Sequence, residues 1–221
     1  MKKYYAVKKG RQPGIYPTWP AAQQQVQGYR QAVFKGFDNL ADAQSFMKEK
    51  LAVAAEQDLA TYAILLYTDG GSRNHGNYAG GHVQAQDKAA WAYLIKYQGQ
   101  RYSASAGQWG ATNNQMELTA VAQGLQKLIS WQLQTQKVLL VADSQYVLNA
   151  LTKGWLASWQ RRNWKKADGQ PVLNQALWQQ ISQQVAQFPH LQFAWTKGHA
   201  QNKENNFVDS LLNQTMDHMT K

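Results

Sequence analysis

The sequence predicts an α/β chain: a mixed five-stranded sheet with helices on both faces, preceded by a small N-terminal α+β module. Three observations carry this. Strand-like segments come first in the larger part and are followed by alternating helix and strand patterns, the order that places helices on both sides of a mixed sheet. Two short apolar runs, Ala63–Thr68 and Val138–Ala142, each end on an aspartate, Asp69 and Asp143. The charge is also uneven. Residues 1–50 hold nine Lys/Arg against three Asp/Glu, and the remaining 171 hold fourteen against ten. The expected boundaries are a module over 1–47, a linker over 48–61 and a larger domain over 62–221.

Taken in order, Tyr4–Val7 reads as a short strand, Gly10–Gly14 as a turn dense in breakers, and Ile15–Tyr16 as the returning strand. Pro20 sits near the start of a helix over Ala21–Arg30, where a missing N–H costs nothing. Val33–Phe37 is a third strand and Ala41–Lys50 a second helix. A module this small has a thin core, which suits binding better than catalysis. Residues 48–61 are Ala-rich without turn signals and read as a partly helical linker. From Tyr62 the pattern changes. Strand Ala63–Thr68 precedes a Gly-rich loop, and Ala89–Tyr97 and Arg101–Gln108 complete a three-stranded meander. Helix Asn114–Thr135, strand Lys137–Ala142, helix Gln145–Leu151, a basic segment, helix Asn174–Gln187, strand Leu191–Thr196 and a last helix from about Asn205 follow.

Composition narrows the function classes. An apolar fraction of 44% is enough for a real core. No run of about eighteen apolar residues is present, so no membrane span is expected. The basic start lacks a following apolar stretch, so no signal peptide is expected. With no cysteine there is neither a disulfide framework nor a thiolate metal site, and a cytoplasmic location is expected. A formal charge of +10 and a pI near 9.7 point to a polyanionic partner, and aromatic residues among the charges favour nucleic acid.

Against that basic background four acids stand out. Asp69 and Asp143 end apolar strands, where α/β sheets build their sites. Glu117 opens the helical pattern Met116–Val121, where a helix N-terminus favours a carboxylate. Asp209 lies in the helical pattern Asn206–Leu212. Converging carboxylates repel unless cations hold them, and all-oxygen ligation suits Mg²⁺. The four acids therefore read as a metal site for phosphoryl-transfer chemistry on nucleic acid.

The residues around these acids carry a resemblance. Thr68-Asp69-Gly70-Gly71, the run from Thr112 to Leu118, the run from Ala142 to Val147, and Lys197-Gly198-His199 followed by Glu204, Asn205 and Asp209 closely resemble the four signature segments of ribonuclease H. Order, spacing and flanking residues agree from about Tyr62 to Asn213. The resemblance implies a ribonuclease H-like fold and an endonuclease that hydrolyses the RNA strand of RNA–DNA hybrids, leaving 5′-phosphate and 3′-hydroxyl ends. It implies two Mg²⁺ ions, with Mn²⁺ as a substitute: Asp69 bridging both, Asp209 completing one site, Glu117 and Asp143 the other. Two such ions clamp the attacking and leaving oxygens of an in-line displacement. His199 would relay protons or help product leave, and Glu204 is a position associated with metal or product exchange.

The same resemblance assigns substrate contacts. Asn113, Asn114 and Gln145 would contact RNA 2′-OH groups and base edges. The basic segment with Trp155, Trp159, Arg161, Arg162, Trp164, Lys165 and Lys166 resembles a protrusion that grips the DNA strand, Trp155 and Trp159 stacking on sugars. Thr112 and Asn174 match a DNA phosphate pocket, with Gly110 where some relatives place an arginine. The N-terminal module resembles a hybrid-binding domain, in which Tyr5, Trp19 and Phe34 stack on DNA sugars and Lys35 lies near a phosphate. RNA–DNA hybrid is the expected partner, with double-stranded RNA a further one for the module, and the protein is expected to act as a monomer without a membrane. Two alternatives stay open: a hybrid- or dsRNA-binding protein with a silent catalytic domain, and another nuclease of the same fold such as a resolvase or integrase.

Overall fold

A computed structural model describes residues 4–27, 29, 32–48, 59–73, 83–196 and 202–220. The chain divides into two units, Met1–Ala52 and Val53–Lys221, each described by itself. Among the described residues no helix is long and apolar enough to cross a membrane.

The first unit comprises β1 (Tyr4–Lys9), β2 (Gly14–Tyr16), α1 (Trp19–Val26), β3 (Val33–Phe37) and α2 (Leu40–Lys48). Its antiparallel sheet has the order β2-β1-β3. Only Ala6, Val7, Ala22, Val26 and Ala43 are buried apolar side chains among its described residues, the thin core its length implies. Helix α1 starts at Trp19, ahead of the expected Ala21, because Pro20 fits the first turn where amide hydrogens have no partner in the helix. It stops at Val26, short of the expected Arg30. Most of the expected linker, 49–58, lies outside the described residues.

The second unit holds β4 (Ile64–Arg73), β5 (Lys88–Tyr97), β6 (Gln100–Trp109), α3 (Asn113–Ser130), β7 (Val138–Ala142), α4 (Gln145–Thr152), α5 (Trp155–Arg161), α6 (Gln175–Val185), β8 (Leu191–Trp195) and α7 (Lys203–His218). The five strands lie in the order β6-β5-β4-β7-β8. β4, β5 and β6 form the antiparallel meander, and β4, β7 and β8 run parallel. This is the mixed sheet expected from the sequence.

Alternation along β4 sorts the two faces. Ile64 and Leu66 join a cluster with Leu118 and Leu125 of α3 and Trp178 and Ile181 of α6. Tyr67 points the other way, into a cluster with Val208, Leu212 and Met216 of α7. Each apolar run is thus buried on both faces, which is why β7 shows no polar alternation and is buried at all five positions.

Two expectations are corrected here. Asp69 does not end its strand. β4 continues through Gly70 and Gly71 to Arg73, because β5 keeps pairing with it as far as Arg73 opposite Lys88. What ends near Asp69 is the β4–β7 pairing, whose last pair is Thr68 with Ala142. Part of the basic segment is also regular structure: Trp155–Arg161 is α5, entered through Gly154 at a left-handed φ of 74°.

Candidate active site

Past the last β4–β7 pair, four elements contribute to one cavity of about 340 Å³. Asp69 comes from β4, Glu117 from the second turn of α3, Asp143 from the residue after β7, and Asp209 from α7. All four line the cavity, together with Asn113, Arg73, Asn213 and the glycines after Asp69. Gly70 is what lets α3 come so close. A Cβ there would meet the backbone of Met116 and Glu117 well inside van der Waals contact.

Each acid has its own support. Asp69 Oδ1 accepts from the Gly70 N–H at 2.8 Å. Glu117 accepts from Asn113 Nδ2 at 2.7 Å and from the Ser144 hydroxyl. Ser144 also caps α4, its Oγ accepting from Val147 N at 3.3 Å. The Asp143 carbonyl accepts from Trp195 Nε1 at 3.1 Å, tying the end of β7 to β8. Asp209 receives Asn213 Nδ2 at its backbone oxygen (2.8 Å) and at Oδ1 (3.1 Å). Glu117 lies beyond the first turn of its helix, so these side chains, rather than the helix N-terminus, hold it.

The electrostatics follow from crowding like charges in a half-buried place. Burial, then Asp143 and Asp209, push the Asp69 carboxyl up to about 8, against the pull of the Gly70 N–H and with a smaller addition from Glu117. Burial also raises Glu117 to about 7; Ser144 works against this, Asp143 adds to it, and Asn113 opposes it. Assembling these groups therefore costs free energy that a bound cation would offset. Among the described residues no three acids or histidines converge on a single ion-sized point. The donor set is nonetheless all carboxylate oxygen, the chemistry a hard divalent cation takes, so the residues present fit such an ion.

The other residues singled out from the sequence fall into several places. Asn113 is in the cavity, committed through Nδ2 to Glu117. Asn114 is exposed beside it. Gln145 opens α4 and lines a neighbouring groove with Asn149, Lys153 and Trp195. Thr112 is the N-cap of α3, its Oγ1 accepting from Gln115 N at 3.2 Å. Asn174 precedes α6 at a left-handed φ of 56° and makes no capping hydrogen bond with its side chain. Gly110 has φ 66°, and a Cβ there would stand 3.2 Å from the Ala85 backbone, so the fold itself favours glycine at this position.

Trp155 is 40% exposed, whereas Trp159 packs edge-on against the buried Trp178 with ring centroids 5.4 Å apart. In the first unit, Tyr5, Trp19 and Phe34 form one aromatic group, with centroids 5.5 and 5.4 Å apart, and Lys35 lies on the same strand as Phe34. His199 and the rest of 197–201 lie outside the described residues, as does loop segment 74–82. Glu204 does not line the four-acid cavity. It pairs with Lys96 at 2.9 Å and lies 3.7 Å from Arg101; burial would raise its pKa, but these contacts hold it below the usual value.

Sequence reasoning passed over Ser144, Trp195, Arg73 and Asn213. Signals existed for two of them. Asn213 stands four residues after Asp209 on a helix, and Arg73 shares the strand parity of Asp69. The Trp195 contact crosses from β8 to the end of β7 and has no local signature.

Known proteins match this arrangement. The family described as RNase H matches residues 61–217, and the one described as Ribonuclease H1 N-terminal domain matches residues 3–47. A ribonuclease H from Hydrogenovibrio crunogenus is 38% identical over 158 residues, 71% of this chain and 97% of that protein. One from Thermoanaerobacter sp. is 35% identical over 158 residues, 72% of this chain and 92% of its own length. Among solved structures, LC9-RNase H1, a type 1 RNase H with the type 2 active-site motif, aligns with TM-score 0.59 at 24% identity over 72% of this chain and 74% of its own. The solution structure of the PFV RNase H domain aligns with TM-score 0.57 at 20% identity over 72% and 97%. These two likenesses speak for the fold.

Proposed function

The chain belongs to the ribonuclease H family, and we propose that it cuts the RNA strand of RNA–DNA hybrids endonucleolytically at the four-acid cavity, with two divalent cations, leaving 5′-phosphate and 3′-hydroxyl ends. It is a ribonuclease H enzyme by that membership; the mechanism, the ions and the residue roles are the proposal. The single observation that supports it is the convergence of Asp69, Glu117, Asp143 and Asp209, from four separate elements, on one cavity of a basic protein.

In this reading Asp69, Glu117, Asp143 and Asp209 would hold the ions through their carboxylate oxygens. When bound, two such ions supply a water activated at neutral pH and a counter-charge for the leaving 3′ oxygen. The chain's own residues do the rest. Asn113 and Ser144 fix Glu117 by hydrogen bonds that favour its ionised form and oppose, without cancelling, the effect of burial. Trp195 holds the backbone of Asp143. Asn114 and Gln145, at the starts of α3 and α4, face the RNA strand and distinguish it by its 2′-OH. Trp155, exposed on α5, stacks on the DNA strand, and Trp159 supports it from the core side. His199 serves as the proton relay. The aromatic group Tyr5, Trp19 and Phe34, with Lys35, binds hybrid or double-stranded RNA, and a tether between the two units raises the local concentration of substrate.

The test is hydrolysis of a labelled RNA–DNA hybrid, beside double-stranded RNA and double-stranded DNA, with Mg²⁺, Mn²⁺ or chelator. Cation-dependent cleavage of the RNA strand of the hybrid alone is expected. Binding without cleavage, or cleavage of duplex DNA, would reject the reading in favour of a silent binder or another nuclease. Deleting 1–47 should weaken hybrid binding and flatten its salt dependence, since fewer phosphates are neutralised.

A further inference from the structure

Strand β4 carries Asp69, Gly71 and Arg73 on one face. Gly71 lets α7 approach that face closely: a Cβ there would stand 3.0 Å from Leu212 Cδ1. The approach sets Arg73, the last residue of β4, over the second half of α7. Along one stripe the helix presents Asp209, just before its midpoint, and then Asn213 and Asp217 at one-turn intervals. Arg73 ties two of them together. Its Nη2 donates to Asn213 Oδ1 and to the Asn213 backbone oxygen, both at 3.2 Å, and its Nη1 donates to Asp217. Asn213 passes the contact on, giving Nδ2 to the backbone oxygen and the carboxylate of Asp209. Arg73, Asn213 and Asp209 all line the catalytic cavity.

Chemistry fixes the direction of this chain. A guanidinium only donates, so the Asn213 oxygen faces Arg73 and its nitrogen faces Asp209. An amide has two orientations of nearly identical shape, and the reversed one would set its oxygen against the carboxylate. Arg73 selects the orientation in which Asp209 receives a hydrogen bond, and Asp217 holds the guanidinium from its other side.

We propose that Asn213, oriented by Arg73, is a positioning residue for Asp209, fixing that carboxylate on the cavity wall so that a divalent cation meets a preset ligand. This rests on the reading of the four acids as a cation site. Partners that orient a metal ligand typically matter by about 10–100-fold in affinity or activity.

The experiment is Mn²⁺ titration calorimetry on the full-length protein, beside kcat and KM on a hybrid, for wild type, Asn213→Ala, Arg73→Met, the double variant, Arg73→Lys and Asp143→Asn. Asn213→Ala should weaken Mn²⁺ binding about tenfold and lower kcat, with KM for the hybrid unchanged. Arg73→Met should weaken it less, by about threefold, because only the fraction of correctly placed amides then supports binding. In the Asn213→Ala background Arg73→Met should add nothing, and Arg73→Lys, which keeps a donor, should recover most of the affinity. Unchanged Mn²⁺ affinity in both single variants, beside a wild type that binds, would overturn the positioning role alone. A rise in KM from Arg73→Met, equal in both backgrounds, would overturn it too, making Arg73 a substrate contact. A wild type with no Mn²⁺ binding that Asp143→Asn abolishes would remove the cation reading itself, and this inference with it. If Asn213→Ala does not fold, Arg73→Met, a change at a side chain 43% exposed, decides by the same two readouts.

Discussion

Replacing Asp143 with asparagine should stabilise the cation-free protein while ending its activity. The reason lies in how Asp69 titrates. Its carboxyl is raised from 3.8 to about 8 by burial first and by Asp143 next. Glu117 is raised from 4.5 to about 7 by burial, with Asp143 adding to the effect. A carboxyl whose folded-state pKa exceeds its unfolded value binds its proton more tightly when folded. Its contribution to stability is complete below about pH 4 and is lost as pH rises through the folded value. The loss therefore spans about pH 4 to 8, and at about 1.4 kcal/mol per pH unit it is capped near 6 kcal/mol for Asp69. Burial carries the largest share, which Asp143→Asn leaves in place. The share from Asp143 is of order 1–2 kcal/mol, the scale of a like-charge contact at the effective dielectric of a half-buried site.

For a chain of this length that corresponds to a rise in Tm of about 2–8 °C. The assay is thermal unfolding followed by circular dichroism in chelator, at pH 7.5 and at pH 4.5, together with hybrid hydrolysis in Mg²⁺. About half of that gain should be present at pH 7.5, where Asp69 is only partly ionised, and it should vanish at pH 4.5, where Asp69 and Glu117 are both protonated and the repulsion is gone. A lower Tm at pH 7.5, or an equal gain at both pH values, would refute the argument from crowded charges. Retained turnover would refute the placing of Asp143 in the catalytic group.

Three further outcomes are expected. Gly70→Ala should cost about 3 kcal/mol, since its Cβ meets helix backbone that has no rotamer to yield; denaturant melts showing a loss below 1 kcal/mol would mean α3 can shift. Ser144→Ala removes a donor that lowers the Glu117 pKa and the cap of α4. It should move the acid limb of the pH–rate profile towards higher pH and cost about 1 kcal/mol of stability, and an unmoved acid limb would detach Ser144 from the chemistry. Trp159→Ala should lower Tm because its ring packs on Trp178, whereas Trp155→Ala should weaken hybrid binding by about 1–3 kcal/mol with Tm unchanged; equal effects on stability would place both rings in the core.

What the sequence determined by itself is what short-range physics writes locally. The apolar runs that become β4 and β7, the three-stranded meander, the α3 pattern and the four acids were all legible, because burial period and residue type need no knowledge of distant partners. Their flanking residues were specific enough to carry the family. Element ends were less legible. α3 ends at Ser130, where periodicity ran on to Thr135, and β4 continues to Arg73, where glycines suggested a loop. For β4, contact with a remote segment outweighed local preference, since β5 holds Gly70 and Gly71 extended; α3 instead stops at a local turn, where Gln132 is left-handed at φ 58° and Leu133 N donates to the Leu128 carbonyl.

Only the tertiary structure decided how the acids are held. Trp195 reaches Asp143 across 52 residues, Ser144 reaches Glu117 across 27, and Arg73 reaches Asn213 across 140. No local pattern encodes such pairings, since each depends on which face of a strand a helix covers and how closely a glycine lets it come. The sequence named the four carboxylates; the packing of α3 and α7 on opposite faces of β4 brought them to one cavity and set the charges against each other there.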